Sequence, residues 1–182
     1  MRKRIVTPTP TSAKAQEDWL DLERAATVEV TSEDKDFPIE SSLSIERGQG
    51  SWRAAHPGAQ TIRLVFDEPQ ELKRISLVFE ENEMTRTQEF VLRASANPGG
   101  PFREIVRQQW NFSAPASTRE IEEYLVELSD IGLLELTIVP DIRRWRRTRF
   151  AQESALGLTR VLQSRGNAKA LAAEISPSLI NH

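Results

Sequence analysis

Gln60-Thr61-Ile62-Arg63-Leu64-Val65-Phe66, followed after Asp67-Glu68-Pro69 by Leu72-Lys73-Arg74-Ile75-Ser76-Leu77-Val78-Phe79, decides the fold class of this chain. Apolar residues occupy alternate positions in both runs: Ile62, Leu64 and Phe66, then Ile75, Leu77 and Phe79. A period of two puts successive side chains on opposite sides of a strand, so each run has one face for a core and one for water. Asp67-Glu68-Pro69 is read as closing the first strand before the second begins.

The same period extends outward. Upstream, Ala26, Val28 and Val30 alternate with polar neighbours until Ser32-Glu33-Asp34-Lys35-Asp36 interrupts them. Downstream come Glu89 to Ala94, the turn Asn97-Pro98-Gly99-Gly100-Pro101, then Phe102 to Phe112, Tyr124 to Leu128, and Leu134 to Val139, stopped by Pro140. Parallel strands would need near-continuous apolar runs and crossover helices, and none is read between residues 27 and 140. The pattern predicts an all-β, antiparallel, jelly-roll-like β-sandwich with short N- and C-terminal helical or flexible extensions. Residues 1–12, basic and then Thr/Pro-rich, are read as a flexible tail, 13–163 as the sandwich and 164–182 as a C-terminal helical tail. Ser12 or Ala13 to about Leu22 reads as a short helix, with an extended Trp19-Leu20-Asp21-Leu22 as the alternative. Ala155 to Leu162 reads as a closing strand or a helix. No internal repeat is seen.

The totals agree with one folded domain. The chain has 182 residues, 38% hydrophobic and 28% charged, with four Trp and seven Phe to fill a core. No stretch approaches the roughly 18 apolar residues of a membrane span, and Met1-Arg2-Lys3-Arg4 is not followed by the apolar run of a secretory signal. There is no Cys, hence no disulfide, thiolate metal site or cysteine nucleophile, and a cytoplasmic location is expected. The net charge of −3 is divided unevenly: residues 1–141 hold 16 Lys+Arg against 25 Asp+Glu, and residues 142–182 hold 8 against 2. An acidic body repels nucleic acid, whereas the basic end attracts anions or another acidic surface.

The order of features resembles the discoidin or coagulation-factor type C (galactose-binding-like) superfamily over about residues 26–160. Thr27 to Glu33 is similar to that family's first strand and Ser-rich turn, and Gly50-Ser51-Trp52-Arg53 to its Trp-bearing loop. Gln60 to Pro69 and Leu72 to Phe79 resemble its paired strands. Glu89 to Ser95 with Asn97-Pro98-Gly99-Gly100 resembles the strand before its Asp-Gly turn, and Leu134 to Val139 a late strand. The resemblance implies a β-sandwich binding module whose ligand meets the loops at one end. Several carbohydrate-binding relatives hold a structural calcium with a loop Asp and a Glu near the final strand, but the loop here reads Ser44-Ile45-Glu46-Arg47-Gly48 and Leu156-Gly157-Leu158-Thr159 offers no carboxylate. No cofactor is therefore expected. The terminal disulfide of secreted relatives is absent, and no apolar loop spikes suggest membrane insertion.

Enzymatic chemistry finds little support. Of two His, His56 sits in the turn Arg53-Ala54-Ala55-His56-Pro57-Gly58 and His182 is the last residue; no Gly-x-Ser-x-Gly elbow presents a nucleophile. Gly48-Gln49-Gly50 lacks the third glycine and the helix of a phosphate loop. Glu80, Glu81 and Glu83, like Glu120, Glu122 and Glu123, read as a solvated rim, with weak Ca²⁺ binding as the alternative for the first group. Sugar recognition would need an exposed aromatic ring with polar groups beside it. Trp52, Arg53 and His56 form one such group and Arg107 with Trp110 another, the competing reading being that both Trp plug the ends of the sandwich. Arg143, Arg144, Trp145, Arg146 and Arg147 could grip phosphates or a protein partner, or lie as a solvated loop against the acidic body. A non-catalytic, glycan-binding module is the expected function. The alternatives are a protein-interaction or assembly subunit, including a homo-oligomer, or nucleic-acid association, each through residues 143–149.

Overall fold

The computed structural model of the protein describes residues 19–43, 50–82, 85–113, 116 and 118–140, together with the backbone of 157–158 and 162–165. A single helical turn, α1 (Leu22–Ala25), precedes β1 (Ala26–Val30). Then come α2 (Ile39–Leu43), β2 (Gln60–Glu80), β3 (Arg86–Ser95), β4 (Arg103–Phe112) and β5 (Arg119–Pro140). Two short strands, β6 (Gly157–Leu158) and β7 (Leu162–Arg165), follow. The expectations for residues 1–12, 143–149 and the C-terminal helix lie outside the described residues.

All pairings are antiparallel, and two long strands build both layers. In one layer the order is β1, the first half of β2, the last half of β5, β3 and β4. The second halves cross over: Leu72–Glu80 of β2 pairs with Arg119–Leu128 of β5 on one side and with β6 and β7 on the other. The alternating apolar residues read from the sequence face each other across the gap. Ile62, Leu64 and Phe66, with Phe90, Leu92, Leu134, Leu136 and Ile138, share one buried cluster with Leu72, Ile75, Leu77 and Phe79. Phe79 and Phe90, one from each layer, stack with ring centroids 4.8 Å apart. The all-β sandwich is confirmed.

Strand boundaries need correction. Asp67-Glu68-Pro69 does not end a strand, and Tyr124–Leu128 and Leu134–Val139 are not separate. Register shifts between Val65 and Arg74 bend β2 without ending it, because a bulge leaves residues unpaired and so admits a proline. β5 turns at Asp130, whose φ of 57° is left-handed, a conformation Asp tolerates better than most residues. Alternation alone cannot distinguish a bent strand from two strands with a turn.

The helical expectations change as well. Residues 13–18 fall outside the described residues, and the helix begins only at Leu22. The unanticipated α2 lies in the β1–β2 connection, where the Glu33 carboxylate accepts the Ile39 backbone N–H at 2.7 Å. Five residues are too few for a helical period to register, and the cap comes from outside the helix. Within 155–162, the described residues Gly157, Leu158 and Leu162 are strand, in β6 and the start of β7.

The two bends close one end of the sandwich. The Asn97–Gly100 turn lies there too, with the Gly100 N–H donating to the Asn97 carbonyl at 3.0 Å and Gly99 at φ 81°. Pro second and a left-handed Gly third are what a type II turn requires. A Cβ on the adjacent Gly132 would strike the Ala96 carbonyl oxygen, so glycine lets this turn seat against β5. Of the described residues, the opposite end carries 31–43, 50–59, 81–82, 85, 113, 116 and 118. It is the open end.

Candidate functional site

At the open end, polar contacts fold the described residues 31–43 and 50–59. Asp34 accepts the Asp36 N–H on its own carboxylate at 2.9 Å and the Phe37 N–H on its carbonyl at 2.9 Å, forming an Asx-turn. Arg53 then pairs with this turn through its backbone, donating to the Phe37 carbonyl at 3.1 Å and accepting from the Asp34 N–H at 2.8 Å. That pairing lays the Arg53 guanidinium over the Phe37 ring, 3.8 Å from its centroid. Gln60 fastens the neighbouring turn. Its buried amide donates to the His56 carbonyl at 2.7 Å and accepts the Ser32 hydroxyl at 2.8 Å. His56 is exposed beside half-buried Arg53.

Trp52 is fully buried, so it supports this rim from the core and turns no ring face to solvent. Its indole N–H has no hydrogen-bond partner. Sequence reasoning found Arg53 and His56 but missed Phe37 and Gln60. Phe37 stands in a polar stretch where its partner is set by folding, and Gln60 reads simply as the first residue of a strand.

Trp110 belongs to a different part of the same end. Gln60, Ile138, Phe90 and Gln108 are successive cross-strand partners, which puts β4 three strand spacings, about 14 Å, from the His56 turn. Trp110 is half-buried on the core face of β4, whereas Arg107 lies on its outer face. The structure therefore separates the two residues that the sequence reading joined. Arg107 instead donates to Glu89 at 2.7 Å and Glu104 at 2.9 Å. Hydrogen bonds to Glu104 and Glu89 hold its guanidinium above the usual arginine range. A second ionic row crosses the same outer face, with Arg63 between Glu29 (3.6 Å) and Glu135 (2.8 Å) and Arg93 3.8 Å from Glu135. Apart from Arg107–Glu104 within β4, these are cross-strand pairs, and Glu135 at the centre of the second row is itself buried.

Beside Trp110, the fully buried Gln88 amide has no partner on either its nitrogen or its oxygen, and the Trp110 indole N–H has none. Further along the core side, the Tyr124 hydroxyl lies 2.8 Å from Gln108 Oε1 and 3.0 Å from Glu122 Oε2, linking β5 to β4. Burial, then the hydrogen bond to Glu122 and its negative charge, raises the phenol far above its ordinary value. A raised phenol keeps its proton when the unfolded chain has lost it, so stability falls as pH climbs past about 10. Tyr124 is the one tyrosine of the chain, so absorbance at the tyrosinate band reads it alone. The expected trace shows no ionisation near pH 10 until the protein unfolds, and Tyr124→Phe flattens the alkaline loss of stability. An ordinary titration of the folded protein near pH 10 would contradict this environment.

The acids read as a solvated rim behave otherwise. Glu81 is buried and paired with Arg86, and Glu80 pairs with Arg119 at 3.3 Å, while Glu83 lies outside the described residues. Glu120 and Glu122 are half-buried and Glu123 is exposed. Among the described residues, no three acidic or imidazole groups are placed to hold a metal ion. Arg143, Arg144, Trp145, Arg146, Arg147 and His182 lie outside the described residues.

No family model matches the chain, and no curated protein matches it at a significant level. Solved structures do. CpGH89CBM32-4, produced by Clostridium perfringens and crystallised with GlcNAc-α-1,4-galactose, aligns over 84% of this chain and 99% of its own, at TM-score 0.55 and 12% identity. CpGH89CBM32-6, produced by the same organism, aligns over 81% and 100%, at TM-score 0.54 and 13% identity. A Ruminococcus gnavus GH29 fucosidase aligns over 82% of this chain, at TM-score 0.54 and 9% identity, but the chain spans only 27% of that enzyme's length. The fold is thus like that of these CBM32 structures, a discoidin-like β-sandwich. The two CBM32 structures align over nearly their full lengths with 81–84% of this chain, whereas the chain spans only 27% of the fucosidase.

Proposed function

We propose that this protein is a non-catalytic carbohydrate-binding module whose ligand meets the open-end loops at Arg53 and His56. The observation that carries the reading is the rim itself: the Arg53 guanidinium held 3.8 Å from the centre of the Phe37 ring, and the exposed His56 three residues on, whose carbonyl accepts from Gln60. Guanidinium and imidazole donors on a turn held by backbone contacts suit the hydroxyls of a sugar. Support also comes from the end-to-end match to isolated carbohydrate-binding modules, one of them crystallised with a disaccharide.

The test is calorimetric titration with GlcNAc-α-1,4-galactose alongside a glycan array. Arg53→Ala and His56→Ala are each expected to weaken the best array ligand about tenfold, the loss of one or two good hydrogen bonds. Thermal unfolding should show both variants folded. An array with no ligand, or a ligand indifferent to both changes, would reject the site. The division of charge favours a second reading, in which the basic run 143–149 docks on an acidic partner. A silent array, together with salt-sensitive capture of one protein that is lost on changing Arg144, Arg146 and Arg147 to Ala, would select it.

A further inference from the structure

The first half of β5 pairs with β2 along one edge, and no described strand pairs with its other edge. Its outward face reads Arg119, Ile121, Glu123, Leu125, Glu127, with Leu125 80% exposed and Ile121 55%. Exposed β-branched and aliphatic residues on an open edge are a surface that sheets normally protect. From this strand we infer that the protein forms a two-fold symmetric dimer by antiparallel pairing of Arg119–Leu128 with the same segment of a second copy.

The sequence of the strand selects both the partner and the register. An axis through Glu123, normal to the sheet, sets Ile121 opposite the partner's Leu125 and Arg119 opposite the partner's Glu127, each twice by symmetry. On the core-side face, Glu122 meets the partner's Tyr124 and Glu120 the partner's Val126, so no carboxylates oppose there. One like-charge contact remains, Glu123 with its own copy on the axis. Moving the axis by one residue either way sets Ile121 or Leu125 against a glutamate, and moving it to Leu125 opposes Glu123 with Glu127. An antiparallel copy of this strand in the Glu123 register matches the apolar and charged positions, apart from the Glu123 pair on the axis. The pairing would join two three-stranded layers into one six-stranded sheet. Because the axis reverses the strand direction, the open ends of the two copies point oppositely. On the glycan-binding reading above, such a dimer would bridge two ligands rather than grip one surface twice.

Sedimentation equilibrium of the full chain tests the association without reference to any glycan. A concentration-dependent monomer–dimer equilibrium is expected, weakened about tenfold by Leu125→Lys and strengthened by Glu123→Gln. Arg119→Glu should weaken it, and adding Glu127→Arg should restore it. Since the chain has no cysteine, Glu123→Cys should oxidise to a covalent dimer faster than Thr27→Cys, an exposed control on β1. A monomer at every concentration, or equal crosslinking at residues 123 and 27, overturns the inference. Either result leaves glycan binding at Arg53 and His56 to stand or fall by its own titration.

Discussion

Trp52→Ala is expected to destabilise the fold by about 3–5 kcal/mol, as truncation of a buried aromatic does when its surroundings cannot collapse. Trp52 is among the largest fully buried side chains and anchors the connection that carries Arg53 and His56. Trp52→Phe should cost far less. The smaller ring leaves a modest void, but it also removes a buried indole N–H that has no partner, and such an orphan costs about 1–3 kcal/mol. Urea unfolding of the three proteins separates the two roles a loop Trp can have. A sugar-stacking Trp52 would leave stability unchanged in both variants and abolish binding in both. If the alanine variant unfolds at the wild-type urea concentration, the core assignment of Trp52 is wrong.

Arg86→Ala is the second large effect, also about 3–5 kcal/mol, because it strands a buried carboxylate. Glu81 is 1% exposed and its partner Arg86 10%, where β2 passes into β3 at the open end. Burying a charge is tolerable only with its counterion present. Exchanging both for apolar residues, as in Glu81→Leu with Arg86→Met, should therefore restore much of what the single change removes. The pair is non-additive, and a double-mutant cycle in chemical denaturation reads the coupling directly. Additive losses would mean that Glu81 and Arg86 do not depend on each other.

Much of the site was legible in part. Arg53 and His56 could be picked out because a Trp-bearing loop between two strands of alternating residues reads as a rim. Their partners could not. Phe37 and Arg53 are sixteen positions apart and meet through backbone pairing of Arg53 with Phe37 and Asp34. Arg107 and Trp110 mislead in the opposite way: three positions along a strand put them on opposite faces, so nearness in sequence became separation across the sheet. Glu81, read with Glu80 as a solvated rim, instead lies buried against a guanidinium five residues on.

The sequence by itself determined the layering. Alternation in β1 to β5 fixes which side of every strand is buried, since a period of two leaves no other way to hide Ile62, Leu64, Phe66, Ile75, Leu77 and Phe79 together. Tertiary structure alone decided that four predicted strands are two bent ones, that Trp52 is core, and that no described strand pairs with the second edge of the first half of β5. Each of those depends on pairing between residues distant in the chain. A local pattern specifies the face a side chain takes, but the strand that lies against it is chosen only when the layers close.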